Sequence, residues 1–297
     1  MYKIKILILY FLLFSQYQNL SAQLPLSHLY KAEVVDFNAP KWKFKSISFL
    51  SDFNRNGYNN QPFQIDQGHF LATIKTKEEE STDIYSFDLD KATYTRLIAN
   101  SGSDYSPRIN QVGPNSEITC INVPKNDSTQ KLVAYDRVTG EFKRTVLGEH
   151  GKIGYYRSLG YNKWVCFILD DQHIMAICEE QNISRRIFAS NIGRTFEVIS
   201  DDKILFVHKI LDDKWLLKSY SISKEKLLTI AEMPKKVEDF ALLENGKIIC
   251  AQNSKILLLE PDTSIWKEVA DLSSLGIRNI NRLNLYKNSL IFVNLIP

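Results

Sequence analysis

The sequence predicts an all-β chain assembled from one repeated unit, and three observations carry that expectation. Apolar runs of about 5–8 residues, rich in Ile, Val, Leu, Phe and Tyr, alternate with clusters of Asn, Asp, Gly, Lys and Pro. These runs recur as a unit roughly every 40–48 residues, the period of a propeller blade and not of a helical solenoid. Half a unit stands at each end of the chain, as a ring closed by its own termini requires.

The strands are read in order as Phe70–Ile74, Asp83–Asp88, Ile118–Val123, Leu132–Asp136, Trp164–Leu169, Ile174–Cys178, Ile204–His208, Trp215–Ser221, Ile248–Ala251 and Ile256–Leu259. The second strand of each unit ends in a recurring position: Asp88, Asp136, Cys178, Ser221 and Glu260. Five units fit between Asn59 and Leu275. Leu29–Phe37 and Trp42–Leu50 precede them, and Ile280–Leu285 and Leu290–Leu295 follow. Pairing these four segments makes a sixth blade, so the expected fold is a six-bladed β-propeller of four-stranded antiparallel blades over residues 23–297. Helix is expected only as a single turn within Ala270–Leu275.

Residues 1–22 read as a secretory signal. Lys3 and Lys5 precede the apolar run Ile6–Phe14, and Leu20-Ser21-Ala22 offers a cleavage point before Gln23. The apolar run is far below the roughly 20 residues that span a bilayer. Export follows, to the periplasm or beyond, with no transmembrane segment in the mature chain. The whole chain has 37 basic and 34 acidic residues, a formal charge of +3. Removing Lys3 and Lys5 with the signal leaves a near-neutral chain, without the electrostatic footprint of nucleic-acid binding. Cys120, Cys166, Cys178 and Cys250 all sit in apolar strands with no C-x-x-C spacing, which predicts four buried thiols; a Cys166–Cys178 disulfide across one hairpin, which export would permit, is the alternative.

The segment Tyr58–Arg108 carries a more specific pattern. It contains Asn60-Gln61-Pro62-Phe63, the turn Asp66-Gln67-Gly68, the strand Asp83-Ile84-Tyr85-Ser86-Phe87-Asp88-Leu89, Thr95-Arg96-Leu97, and Asp104-Tyr105-Ser106-Pro107. This segment resembles the TolB-like propeller repeat. Gly68 is expected to supply a positive φ in its turn, and Pro62 and Pro107 to stand at the starts of inner strands. The resemblance implies a cell-envelope binding scaffold. It covers the propeller portion alone and does not imply membership of the Tol system.

Catalytic patterns are lacking. There is no G-x-S-x-G, no glycine-rich phosphate loop, and no clustered ligand spacing among His28, His69, His150, His173 and His208. No cofactor or metal is called for. Folding the repeat into a ring brings the segments leading into the inner strands together at one channel mouth. The candidate ligand-binding residues there are Asn60, Asp104, Tyr105, Arg108, Tyr156, Arg157, Arg194, Glu197, Glu238, Asp239, Arg278 and Asn281. Arginine grips carboxylates bidentately, and Arg and Tyr are common binding anchors. The set suits a peptide, an envelope protein, a glycan or an acidic small ligand. Such charges also pair with one another, Arg194 with Glu197 being the nearest by spacing. The alternative is a metal-dependent, lactonase-like hydrolase or lyase that uses oxygens of Glu197, Glu238, Asp239 and Asn281.

Overall fold

A computed structural model describes residues 24–112 and 114–297. The expected signal segment lies outside the described residues. The chain forms strands β1 (Ser27–Val34) and β2 (Phe44–Phe49), then five complete blades. Blade 1 holds β3 (Tyr58–Gln64), β4 (His69–Lys75), β5 (Asp83–Asp88) and β6 (Thr93–Ile98). Blade 2 holds β7 (Ser103–Val112), β8 (Asn115–Val123), β9 (Lys131–Asp136) and β10 (Phe142–Leu147). Blade 3 holds β11 (Lys152–Ser158), β12 (Lys163–Leu169), β13 (Ile174–Glu179) and β14 (Asn182–Ser190). Blade 4 holds β15 (Ile192–Ser200), β16 (Lys203–Lys209), β17 (Trp215–Ser221) and β18 (Lys226–Glu232). Blade 5 holds β19 (Phe240–Leu242), β20 (Ile248–Gln252), β21 (Lys255–Glu260) and β22 (Ile265–Asp271). Last come β23 (Ile280–Tyr286) and β24 (Ser289–Leu295).

Each blade is a four-stranded antiparallel sheet in chain order, and the closing blade runs β2-β1-β24-β23. The fold is the six-bladed propeller that the repeat period predicts. The closing ladder sets Leu29 opposite Val293 and Lys31 opposite Ile291. A side-chain clamp reinforces it: the Asn59 amide nitrogen donates to the Ser27 carbonyl at 2.6 Å, and the Asn59 backbone N–H donates to Ser27 Oγ at 2.9 Å. Helix among the described residues is limited to two 3-10 turns, Asp52–Asn54 and Ser273–Leu275, the second within the segment expected. None is long and apolar enough to cross a membrane.

The core is distributed between blades. One hydrophobic cluster straddles each of the six blade interfaces. Successive side chains of a strand point to opposite faces, so a middle strand feeds two clusters. On β4, Phe70, Ala72 and Ile74 pack toward the closing blade, and Leu71 packs toward blade 2. Middle strands buried on both faces therefore read as unbroken apolar runs. The four cysteines belong to these layers and are free. Cys166 faces Ala176 across the ladder, and Cys178 faces Trp164.

Two local expectations are corrected. Pro62 and Pro107 lie inside β3 and β7, not at their starts. Each follows a left-handed residue, Gln61 (φ 51°) and Ser106 (φ 56°), where the ladder carries one extra residue. A bulge leaves one residue unpaired, and that tolerates a proline without a ladder N–H. Gly68 does not take a positive φ. Its N–H instead bonds Asp66 Oδ1 at 2.8 Å, and a Cβ there would sit 2.6 Å from the Asp90 carboxylate.

Asp83, which opens β5, is fully buried and accepts from Arg96 Nε at 2.9 Å. Burial pushes its pKa up to about 6; Arg96 pulls the other way, and Glu79 and Asp104 add to the rise. Relative to the unfolded chain, the folded state favours the protonated form below about pH 6. Its stabilising contribution is thus complete below the unfolded value of about 4 and is lost as pH rises to about 6.

Leu29→Ala at the closing interface should cost about 2–5 kcal/mol in urea denaturation. A loss near zero would mean that the joint contributes little to stability. For Asp83→Asn, the difference in unfolding free energy from the parent should move in the variant's favour between about pH 4 and pH 6, then level off. A pH-independent difference would contradict the assignment.

Candidate functional site

Six inner strands, β3, β7, β11, β15, β19 and β23, line the central channel. Five of the six, all but the short apolar β19, carry polar residues where they meet the channel. Irregularities recur in five of the six inner strands. The ladder gains one extra residue around Gln61, Ser106 and Arg282, whose φ angles are 51°, 56° and 52°. It is also interrupted between Ile153 and Tyr155 on β11 and between Ile192 and Phe196 on β15. These bulges re-aim side chains into the lumen. The resulting cavity is lined by Gln61, Ser106, Arg108, Tyr155, Arg157, Arg194, Thr195, Glu197, Asp239, Arg282 and Asn284.

Its electrostatics are dominated by arginine. Arg157 grips Glu197 with both Nε (3.0 Å) and Nη2 (2.8 Å) and lies 5.2 Å from the Phe196 ring centroid. Arg282 reaches Asp239 at 3.2 Å and donates to the Tyr155 hydroxyl at 2.7 Å. Thr195 donates to the same Asp239 oxygen. Arg194 meets Glu238, which also takes Lys209 at 2.6 Å. Burial opposes the charge on Glu197, but Arg157 and Arg108 outweigh it and hold the carboxyl below its ordinary range. Glu238 follows the same logic, with Arg194 and Lys209 overcoming its burial. Four arginines and two carboxylates line the cavity, so the lumen is electropositive.

Of the residues singled out from sequence, Arg108, Arg157, Arg194, Glu197 and Asp239 meet in this cavity. They lie on the inner strands or immediately before one, deeper than loops at a mouth. Glu238 adjoins them through Arg194. The partner of Arg194 is Glu238 and not Glu197, which belongs to Arg157. Tyr105 lines a wider outer cleft with Tyr58 and Tyr155.

The rest lie elsewhere. Asp104 is fully buried between blades, accepting from Asn100 at 2.6 Å and Asn122 at 3.0 Å, with its pKa raised by burial. The buried Tyr156 hydroxyl sits 3.0 Å from both the Ser106 carbonyl and Thr119 Oγ1. Asn60 is buried and caps the Gln61 N–H at 2.8 Å. Arg278 donates to the Ser273 and Ile277 carbonyls at 2.6 and 2.9 Å. Asn281 lines a side cleft with Lys235 and Glu238.

The polar lumen residues missing from the sequence reading are Gln61, Ser106, Tyr155, Thr195, Arg282 and Asn284. Several misses are one-residue slips: Gln61 for Asn60, Tyr155 for Tyr156, Arg282 for Asn281. A slip of one exchanges the two faces of a strand, and a bulge hides such a slip from any fixed alternation. The x-Pro pairs Gln61-Pro62 and Ser106-Pro107 were the available signal in two blades. The expected oxygen set for a metal does not assemble. Glu197, Glu238 and Asp239 each meet a different guanidinium, and no group of three His, Cys, Asp or Glu is placed for a metal among the described residues.

Glu238→Gln should lower stability by about 1–3 kcal/mol in urea denaturation, since Arg194 and Lys209 then lose their shared carboxylate. Glu80→Gln, which touches only a solvent-exposed pair with Lys125, should leave stability unchanged. Equal behaviour of the two variants would count against a buried network.

No protein-family model and no curated protein matches the chain. Solved structures do. Hydrazine synthase of Kuenenia stuttgartiensis superposes with a TM-score of 0.56 at 12% identity, over 83% of this chain and 45% of that one. TolB from Acinetobacter baumannii gives 0.53 at 11% identity, over 90% of this chain and 63% of that one. An oligogalacturonate lyase in complex with manganese gives 0.51 at 11% identity, over 86% and 83%. This chain thus spans less than two thirds of the first two. At these identities the likeness is one of fold, and the fold is TolB-like, as the Tyr58–Arg108 segment implies.

Proposed function

We propose that this chain is an exported, non-enzymatic binding protein that receives a peptide, an envelope protein or a glycan at its propeller channel. One observation carries the reading: an electropositive lumen built from four arginines on converging inner strands, three of them held by the carboxylates of Glu197, Glu238 and Asp239. Arginines already positioned by ion pairs lose little freedom when a ligand arrives. The signal-like residues 1–22 and the TolB-like fold support an extracytoplasmic, periplasmic setting.

A metal-dependent hydrolase or lyase on the same fold would need several uncommitted oxygens converging on one point. Here the lumen carboxylates are bound to arginines, and the surplus positive charge opposes a divalent cation. That chemistry favours binding over catalysis.

The test is affinity capture from cell-envelope extract with the mature protein and an Arg108→Ala/Arg157→Ala control. The expected outcome is one or more partners held by the parent and weakened about tenfold or more by the double substitution. Equal recovery by both proteins would remove the channel from the binding site. A saturable, Mn²⁺- or Ca²⁺-dependent rise in Tm would turn the reading toward the metal enzyme.

A further inference from the structure

Donors and acceptors in the lumen are unequally spent. Arg157, Arg194 and Arg282 each have a carboxylate. Arg108 has none. Among the described residues its guanidinium has no hydrogen-bond or ion-pair partner, and it lies 5.2 Å from the Phe63 ring centroid. Burial first, and the neighbouring Arg157 charge second, push its pKa down to about 9 against the pull of Glu197, so it remains a cation at neutral pH whose charge Glu197 offsets only through space, without a hydrogen bond.

Two amides line the same cavity with their oxygens already used. Gln61 Oε1 accepts from Thr73 Oγ1 and from the Ser106 backbone N–H, both at 2.9 Å. Asn284 Oδ1 accepts from the Gln64 backbone N–H at 2.7 Å. A backbone N–H can only donate, so these bonds fix which end of each amide is oxygen. The NH2 groups of Gln61 and Asn284 are left without a partner among the described residues. Tyr155 accepts from Arg282 and keeps its own hydroxyl proton to give.

The unspent N–H groups that line the cavity with Arg108 are donors, and the buried Ser106 hydroxyl, also without a partner, can donate as well. The cavity they line holds about 60 Å³, where one water needs about 10–15 Å³ on the same kind of measure. It admits a few heavy atoms and not a sugar ring. A carboxylate is acceptor-only, planar and singly charged, and it matches the guanidinium fork. The Glu197 and Asp239 carboxylates in the same wall disfavour a dianion.

We propose that the channel centre is a carboxylate subsite, in which Arg108 takes one carboxylate group of the ligand and the Gln61 and Asn284 amides complete its shell. The proposal rests on the channel-binding reading and specifies the group that enters: an Asp or Glu side chain, a peptide C-terminus or a uronate-type acid.

The experiment follows the guanidinium Nε–Hε NMR signals of the full mature chain during titration with acetate at constant ionic strength. Acetamide, chloride and inorganic phosphate serve as parallel probes. Acetate should shift the Arg108 signal saturably and leave the peripheral Arg96 signal in place. Acetamide and chloride should not, and phosphate should bind more weakly. Arg108→Gln should weaken acetate about tenfold or more, and Gln61→Ala, which keeps the cation, severalfold. Phosphate binding as tightly as acetate would overturn the carboxylate assignment. So would an acetate response that persists at Arg157 in Arg108→Gln with unchanged affinity. The two readings fail separately. Acetate binding without any captured partner sinks the macromolecular reading alone. A partner captured equally by parent and Arg108→Gln, with no acetate response, sinks the subsite alone.

Discussion

The ladder between β1 and β24 is the constraint on which the rest of the molecule depends. Each blade is apolar on both faces, so each needs two neighbours. In an open array two faces and two sheet edges would meet water. Pairing Ser27–Val34 with Ser289–Leu295 removes the gap and completes the sixth interface, where Leu29, Ile291 and Val293 pack against Phe70 and Phe87. Side-chain bonds from Asn59 to Ser27 then tie blade 1 to the closure. No cluster is the core by itself; closure is what makes six half-cores a single one.

Closure also creates the lumen. Converging inner strands bring residues from all parts of the chain within hydrogen-bond reach: Arg157 with Glu197, Arg194 with Glu238, Arg282 with Tyr155. Away from bulk water such contacts are electrostatically stronger, and an unpaired charge is correspondingly costly. The ion pairs thus serve the scaffold as well as the site. They fix the guanidinium planes and leave Arg108, with its neighbouring amides, as the part of the wall whose bonding capacity is unspent.

Legibility differed sharply between the two. The middle strands were plain in the sequence: Trp164–Leu169 and Ile174–Cys178 fall within β12 and β13, because burial on both faces leaves an uninterrupted apolar word. Inner strands such as Tyr58–Gln64 and Ser103–Val112 carry polar residues and bulges within, so neither a continuous run nor a clean alternation marks them. The charged residues Arg108, Arg157, Arg194, Glu197 and Asp239, which folding the repeat had placed near the channel, do line one cavity. Tyr156 and Asp104 look just as functional in sequence and turn out to bond within the walls between blades.

The sequence by itself determined the all-β class, the blade period, the count of six and the joint made from both ends. Each of these follows from hydrophobic pattern, which is local and survives being read along a line. The tertiary structure decided which face of each inner strand looks into the channel, and with it the choice of Tyr155 over Tyr156 and Arg282 over Asn281. It also decided the ion-pair partners, Glu197 for Arg157 and Glu238 for Arg194. Both depend on bulges and on distances between residues some forty positions apart, and neither is encoded in any local pattern.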